Sequence, residues 1–319
     1  MVLPSWWLPV VNEGEKAMAT GTELAFLATL MAAQSPVAQE QSPQSAPLSA
    51  VQDDSDTIIV TAPREETERR IEIRRLAGKV IRKPRQGYPI ARFFLPVCPK
   101  VYGLSATDAE VVEQRIRHNA REFGPGQRRS KDCDVNLKIV LLANSVGSSD
   151  TWLTSDSEQL SHLLSYQKQR VLEEEGPVRA WNVTALRTAD GGRLEASAGL
   201  NKVPLNSRLT YPVTSEITSA MMLIEFDAVK TKTLQQLADY ASMRSLQGTE
   251  GVDGSKGAPV DTILTLFHDE VPPQGLTEFD QALMDKLYSL PRNANTARIF
   301  GAVASRTIEL ENASGQSEN

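Results

Sequence analysis

Two short apolar runs flank a helical stripe between residues 92 and 143, and this order restricts the fold. We predict strands over residues 92–97 and 135–143, because both runs are short and mostly apolar. Ser105 and Asp108 form a capping signature for the helix between them. Two strands joined through a helix are expected to lie parallel in one sheet. The pattern therefore predicts an α/β or α+β domain with a mixed sheet.

The same alternation of apolar runs and helical stripes continues along the chain. We therefore predict one globular domain at residues 88–310, followed by a disordered tail at 311–319. The Asp190-Gly191-Gly192 turn has residue types that tolerate positive φ, which favours a hairpin. The other predicted elements are helices over 157–174 and 234–246, hairpin strands over 178–189 and 193–198, an interior strand over 220–226, and a final helix capped by Thr277 and Asp280.

The chain before this domain has a different composition. An apolar run at residues 24–33 is far shorter than the roughly 20 residues that span a bilayer, and small residues follow it. We interpret residues 1–38 as a leader with a cleaved export signal. Residues 39–63 are rich in Gln, Ser, Pro and Ala and are expected to be a disordered linker.

Two segments next to the domain suggest partners. Residues 56–62 (DTIIVTA) resemble the TonB box, by which outer-membrane receptors pair with TonB through strand addition. Alternatively, this segment is a linker or a stray edge strand. Residues 64–87 are predicted to form a basic amphipathic helix, which we interpret as a solvated linker helix with Glu-to-Arg pairs. The alternative is a helix that contacts anionic lipid or an acidic partner.

Composition limits the chemistry that this chain supports. Its 34 basic and 40 acidic residues give a net charge of −6, so the charge balance does not favour nucleic-acid binding. Three histidines and two cysteines leave few metal ligands, and no transmembrane span is predicted. The phosphate-binding glycine motifs and the G-x-S-x-G nucleophile elbow are absent from the sequence.

The two cysteines, Cys98 and Cys133, both fall within the predicted domain. A bridge between them is compatible with the loop before Cys133 folding back, and oxidation is the default in an exported protein. The alternative is a pair of buried thiols in a reducing compartment. A catalytic cysteine is not favoured, because no helix begins directly after Cys98 to lower its pKa.

Residues 236–246, 261–264 and 276–288 together resemble the C-terminal half of metzincin-type zinc peptidases. In that family, a helix bearing H-E-x-x-H-x-x-G-x-x-H precedes a turn with methionine and a helix of the form L-T-x-x-D-x-x-x-L-x-x-L-Y. The last helix matches, with Met284 at the middle leucine. The metal helix departs from the motif at all of its functional positions. These positions are occupied here by Gln236, Leu237, Tyr240, Met243 and Leu246.

These departures imply a zincin-like order of elements without its metal. Zinc needs three protein ligands and an open position, which Gln, Tyr and Leu do not supply. The chain is thus similar to an uncharacterised family of exported bacterial proteins on a degenerate zincin-like scaffold. Leu237 and Leu246 would be core, and Asp239 is expected on the wet face of the helix, where its removal would cost little stability.

We predict a periplasmic or secreted, non-catalytic domain, a pseudoenzyme without metal or cofactor that binds an extended peptide or a protein. A groove beneath the strand before the 234–246 helix is where zincin-like folds accept a peptide by strand addition. Two alternatives remain. One is a metal-independent hydrolase with Asp239 and Asp261 as acid and base, and the other is an envelope tethering factor acting through residues 56–62.

Export predicts a shortened mature chain. Cleavage after Ala33 or Ala38 is expected, because small residues follow the apolar run there. N-terminal sequencing of protein from its native host measures this directly. A mature protein that retains Met1 or Met18 would contradict the leader and weaken the case for an oxidising compartment.

Overall fold

Five strands form one sheet in the computed structural model of the chain, which describes residues 64–82, 88–126, 133–143, 152–194, 210–252 and 260–317. These residues belong to a compact unit, Ile59–Asn319. The predicted leader at 1–38, the linker at 39–63 and the TonB-box-like segment at 56–62 lie outside the described residues.

The described residues combine seven α-helices with this sheet, a mixed α/β architecture that is compatible with the predicted α+β class. The strands are β1 (Arg92–Phe93), β2 (Pro99–Tyr102), β3 (Leu137–Leu142), β4 (Val178–Thr188) and β5 (Val213–Glu225). The helices are α1 (Arg64–Val80), α2 (Ala106–Phe123), α3 (Ser165–Leu172), α4 (Phe226–Val229), α5 (Leu234–Leu246), α6 (Glu278–Ser289) and α7 (Thr296–Ser317).

Strand β5 is the centre of the sheet. It pairs antiparallel with β4 along one edge, and parallel with β3 and β1 along the other. Strand β2 pairs parallel with β3 and closes the sheet on that side. Since most of these pairs are parallel, the helices that connect the strands cover the faces of the sheet.

The two faces of the sheet pack against unequal layers. The larger core lies on the face of Ile139 and Met222 and includes side chains from α1, α2, α5, α6 and α7. A smaller cluster on the opposite face joins Trp181 and Leu223 to Leu160 and Val171. The sheet is therefore covered by a thick helical layer on one side and a thin layer around α3 on the other.

The strand–helix–strand unit begins later than predicted. Strand β1 ends at Phe93, and the unit consists of β2, α2 and β3, with Pro99 opposite Leu137. Because β2 and β3 are parallel neighbours, the residues just before them meet at the same end of the sheet. The sulfur atoms of Cys98 and Cys133 lie there at bonding distance, 1.96 Å, so the expected pairing is present.

A helix forms within the predicted 64–87 segment, but it is part of the folded core and not a solvated linker. Helix α1 buries Ile73, Leu76 and other residues of its apolar stripe, and it packs against α7. Arg69 also donates to Glu311 on α7 at 2.5 Å. The predicted final helix is followed by α7, which continues to Ser317, so most of the expected disordered tail is helical.

The other differences are local. The predicted 157–174 helix is a 3₁₀ turn, Glu158–Leu160, and the separate helix α3, so that Leu164 between them is exposed rather than inward. Strand β5 begins at Val213, earlier than the predicted interior strand. The Asp190-Gly191-Gly192 turn forms, but most of the second predicted hairpin strand lies outside the described residues.

The predicted cap of the 276–288 helix is confirmed and does more than end a helix. Thr277 and Asp280 form a capping box at the start of α6. The fully buried Asp280 carboxylate also accepts from the Ile263 N–H at 2.8 Å and the Thr262 hydroxyl at 2.6 Å. One side chain thus ties the 3₁₀ turn after residue 262 to α6.

Among the described residues, every helix is too short or too polar to cross a lipid bilayer.

Replacing Cys98 and Cys133 together by serine should lower the free energy of unfolding by about 4 kcal/mol, because the open loop gains entropy in the unfolded chain. Urea unfolding of the full chain measures the difference. Adding a reductant to the unaltered protein should reproduce the loss. Equal stability of oxidised and reduced protein would contradict a stabilising bridge.

Asp280 should make stability depend on pH. Burial raises the pKa of Asp280 from 3.8 to about 6, although hydrogen bonds from residues 262, 263 and 277 act in the opposite direction. The folded state then binds the proton more tightly than the unfolded state. The protonated Asp280 therefore adds to the free energy of unfolding below pH 4, and this contribution is lost as the pH rises past 6. Urea unfolding should show the stability advantage over Asp280→Asn falling by about 2 kcal/mol between pH 4 and 7. A difference independent of pH would contradict the raised pKa.

Candidate functional site

Two adjoining cavities lie along the outer edge of β4, and together we call them the edge groove. The polar cavity has a volume of about 580 Å³, and the apolar cavity one of about 380 Å³. They adjoin because Arg82, Tyr166 and Arg170 line both.

The apolar cavity straddles the edge of the sheet. Trp181 and Leu186 of β4 line it, together with Tyr166 of α3 from one face and Ile90 from the other. Two side-chain amide oxygens on its wall, those of Asn182 and Gln247, are buried without a hydrogen-bond partner. A buried acceptor without a partner is costly, so these two oxygens favour a ligand that brings hydrogen-bond donors.

The outer edge of β4 carries unpaired backbone groups beside this cavity. Ala180 points its backbone groups outward, since Glu174 accepts from its N–H and Arg82 donates to its carbonyl oxygen. Alternate residues along a strand face the same edge, so Asn182, Thr184 and Leu186 do likewise. No strand among the described residues pairs with this edge before Arg187.

Four side chains form an inner cluster at the floor of the polar cavity: Arg82, Glu174, Tyr240 and Arg244. Arg244 donates to Glu174 and, at 2.9 Å, to the Tyr240 oxygen. Arg82 approaches the second oxygen of Glu174 at 3.7 Å. The cluster links α5 to the turn before β4 and to the chain after α1.

Burial controls the ionisation of this cluster. Burial raises the pKa of Tyr240, so its phenol stays neutral at pH 7. Burial, and next the positive charge of Arg244, lower the pKa of Arg82 to about 10, which still leaves it charged. Two guanidinium groups therefore share one carboxylate, and the inner cluster carries one excess positive charge.

The positions singled out by the metzincin resemblance have different surroundings. Tyr240 lines the polar cavity, whereas Leu237, Met243 and Leu246 are buried in the core. Gln236 is also buried, and it donates to the Pro273 carbonyl oxygen at 2.8 Å. Of these five residues, Tyr240 alone lines either cavity of the edge groove.

The expectation that Asp239 lies on a wet face is wrong. Its carboxylate is fully buried and accepts two hydrogen bonds from Arg115, at 2.8 and 3.0 Å, and one from Asn119 at 2.7 Å. The Leu276 N–H donates to it at 3.3 Å. Asp261 is exposed and is not among these partners, so the two carboxylates do not share a hydrogen bond.

The histidines are dispersed. His118 is on α2 beside Arg121, while His162 lines the apolar cavity and His268 the polar one. Within the described residues, no group of three or more His, Cys, Asp or Glu side chains is arranged to hold a metal ion.

Sequence reasoning missed most of the edge groove. The sequence places Arg82 in a linker helix and Glu174 at the end of the predicted 157–174 helix. Arg244 is one helical turn after Tyr240, and this i, i+4 spacing was the available signal. Trp181 carried no sequence signal beyond a strand position.

Comparisons with protein-family models, with curated proteins and with solved structures give no match for this chain. The case for a function therefore depends on the site itself.

Replacing Asp239 by alanine should destabilise the fold by about 3–5 kcal/mol, because it leaves Arg115, the Asn119 amide and a backbone N–H without their acceptor. Asp261→Ala is the matched control and should change stability by less than about 0.5 kcal/mol, because Asp261 is exposed. Urea unfolding of both variants makes the comparison. Small and similar losses of stability for both variants would contradict the buried position of Asp239.

Proposed function

We propose that this protein is an exported, non-catalytic binding domain that takes an extended peptide segment of a protein partner along the outer edge of β4. Among the described residues, no strand pairs with the outer edge of β4 at Asn182 and Thr184, beside the apolar cavity, and this is the observation that carries the proposal. Unpaired strand edges bind extended peptides through backbone hydrogen bonds, and neighbouring pockets select side chains.

The groove has the features that strand addition requires. Tyr166 and Leu186 are exposed beside the outer edge of β4, at 50% and 40% of their surface, and offer apolar contact to a peptide side chain. The unpartnered oxygens of Asn182 and Gln247 offer acceptors to its polar groups. Strand β5, which precedes α5, is paired along both edges, so the accepting edge belongs to β4 and not to β5 as first expected.

The scaffold that we propose remains a metal-free, zincin-like one. Its support is the order of an antiparallel edge strand, the central strand β5 and then helix α5, followed by the capped helix α6. Tyr240 of α5 lines the cavity at the position where the family motif has its second histidine. The disulfide gives weak support to export, because such bonds persist in oxidising compartments.

The two alternative functions receive less support. A hydrolase that uses Asp239 and Asp261 needs a free carboxylate at Asp239, but four hydrogen bonds already occupy it. A tether acting through residues 56–62 concerns a segment outside the described residues, and deleting that segment before a TonB pull-down would test it.

Selection of linear peptides, displayed with free carboxyl termini, against the full chain tests the proposal. We expect binders whose affinity Thr184→Pro lowers by about tenfold or more, because proline removes the outward N–H and places its ring at the edge. An edge strand tolerates proline where its N–H faces outward, so folding should persist, which circular dichroism checks.

Thr184→Ala is the matched control, since it shortens the same side chain and keeps the N–H. It should retain binding. Failure to select any peptide would overturn the proposed function. Equal affinity of Thr184→Pro and Thr184→Ala would overturn strand addition as the mode of binding, and a peptide N-methylated opposite Thr184 gives the same test without altering the protein.

A further inference from the structure

The outer edge of β4 is blocked at Ala180, and this determines where an added strand must stop. Glu174 accepts from the Ala180 N–H at 3.2 Å, and Arg82 donates to the Ala180 carbonyl oxygen. Both outward backbone groups of Ala180 are therefore taken by side chains. A strand paired with Thr184 and Asn182 finds no backbone partner at the next position, so its end lies beside Arg82.

The direction of β4 indicates which end of the peptide this is. Strand β4 runs from Val178 to Thr188, so a strand antiparallel to it reaches Ala180 with its carboxyl end. Antiparallel pairs are more frequent and slightly more stable than parallel pairs. The inner neighbour β5 already pairs with β4 in this way.

The charge beside this end is suited to a carboxylate. Glu174 neutralises one of the two guanidinium groups that it contacts, which leaves one positive charge in a cluster where the Arg244 side chain is only 1% exposed. The Nε atoms of Arg82 and Arg244 are buried without a hydrogen-bond partner. Donors and positive charge are both in excess.

The other acidic groups of the polar cavity lie at its rim, and the charge of Glu250 also acts on Arg82. Glu250 lies 3.9 Å from Arg170, and both are partly exposed. Glu173 and Glu175 are exposed, so solvent and salt screen their charges. Within the buried inner cluster, the two guanidinium groups still outnumber the one carboxylate.

We propose that the inner cluster binds the α-carboxylate at the C terminus of a protein partner, within the peptide groove proposed above, on which this inference rests. Arg82 lines both cavities and is the first guanidinium that the peptide end meets. Gly251 keeps the approach to the second one open, because a Cβ at that position would lie 3.2 Å from Arg244 Nη1 and 3.5 Å from the Tyr240 oxygen. Hydrogen bonds from guanidinium to carboxylate are short and strong.

The test uses one selected peptide synthesised in three forms: with a free C-terminal carboxylate, with a C-terminal amide, and with a C-terminal amide after a final aspartate. Calorimetric titration of the full chain gives their affinities. We expect the free acid to bind about tenfold or more tightly than the amide. The aspartate form should bind like the amide, because its carboxylate is displaced from the chain end.

Three variants locate the effect, with the ratio of acid to amide affinity as the readout. Arg82→Gln should bring the ratio close to one by removing a guanidinium. Gly251→Val should do the same by filling the space beside Arg244 without a change in charge, and it serves if Arg82→Gln does not fold. Arg121→Gln on α2 is the matched control, because Arg121 is half-exposed and lines neither cavity, and it should keep the original ratio.

The outcomes separate this inference from the proposed function. If peptides bind but the acid and the amide bind equally, the carboxylate site is overturned and the peptide groove stands. If the aspartate form matches the free acid, a side-chain carboxylate is the ligand and the C-terminal assignment is overturned. If no peptide is selected, the proposed function fails, and the carboxylate site with it.

Discussion

Helix α5 is buried on all sides although it carries several polar side chains, and satisfying them positions its neighbours. Asp239 holds α2 through Arg115 and Asn119, and Gln236 holds the chain at Pro273. Arg244 holds the turn before β4 through Glu174. A buried charge without its partner costs several kcal/mol, so each of these contacts restricts a separate part of the fold. The edge groove lies where the contact between Arg244 and Glu174 approaches the surface.

Local signals predicted the parts of the fold that depend on neighbouring residues. The Thr277–Asp280 capping box and the bounds of the 234–246 helix needed only residues a few positions apart, and both form as predicted. Helix α1 was misassigned, because its basic composition resembles a linker while its apolar stripe packs against α7, more than two hundred residues later. Asp239 was misassigned for the same reason, because its partner Arg115 is on another helix.

The edge groove could not be predicted, since its parts are individually unremarkable in sequence. Arg82, Glu174 and Arg244 each occur in charged or helical stretches, where a solvated position is the usual interpretation. The fold brings them together by placing the chain after α1 beside the end of α5. The metzincin resemblance drew attention to Tyr240, which does line a cavity, but it gave no indication that an arginine pair lies beside it.

The packing of α1 against α7 also governs when the fold can be completed. The Arg69–Glu311 contact spans 242 residues, so it forms only after nearly the whole chain has been synthesised. Before then, Ile73, Leu76 and Val80 lack the surface that covers them. Contacts of such high sequence separation slow folding, because the entropy of closing the loop opposes them until late. Helix α1 therefore takes its place in the core at the end of synthesis, although it is the first described element of the chain.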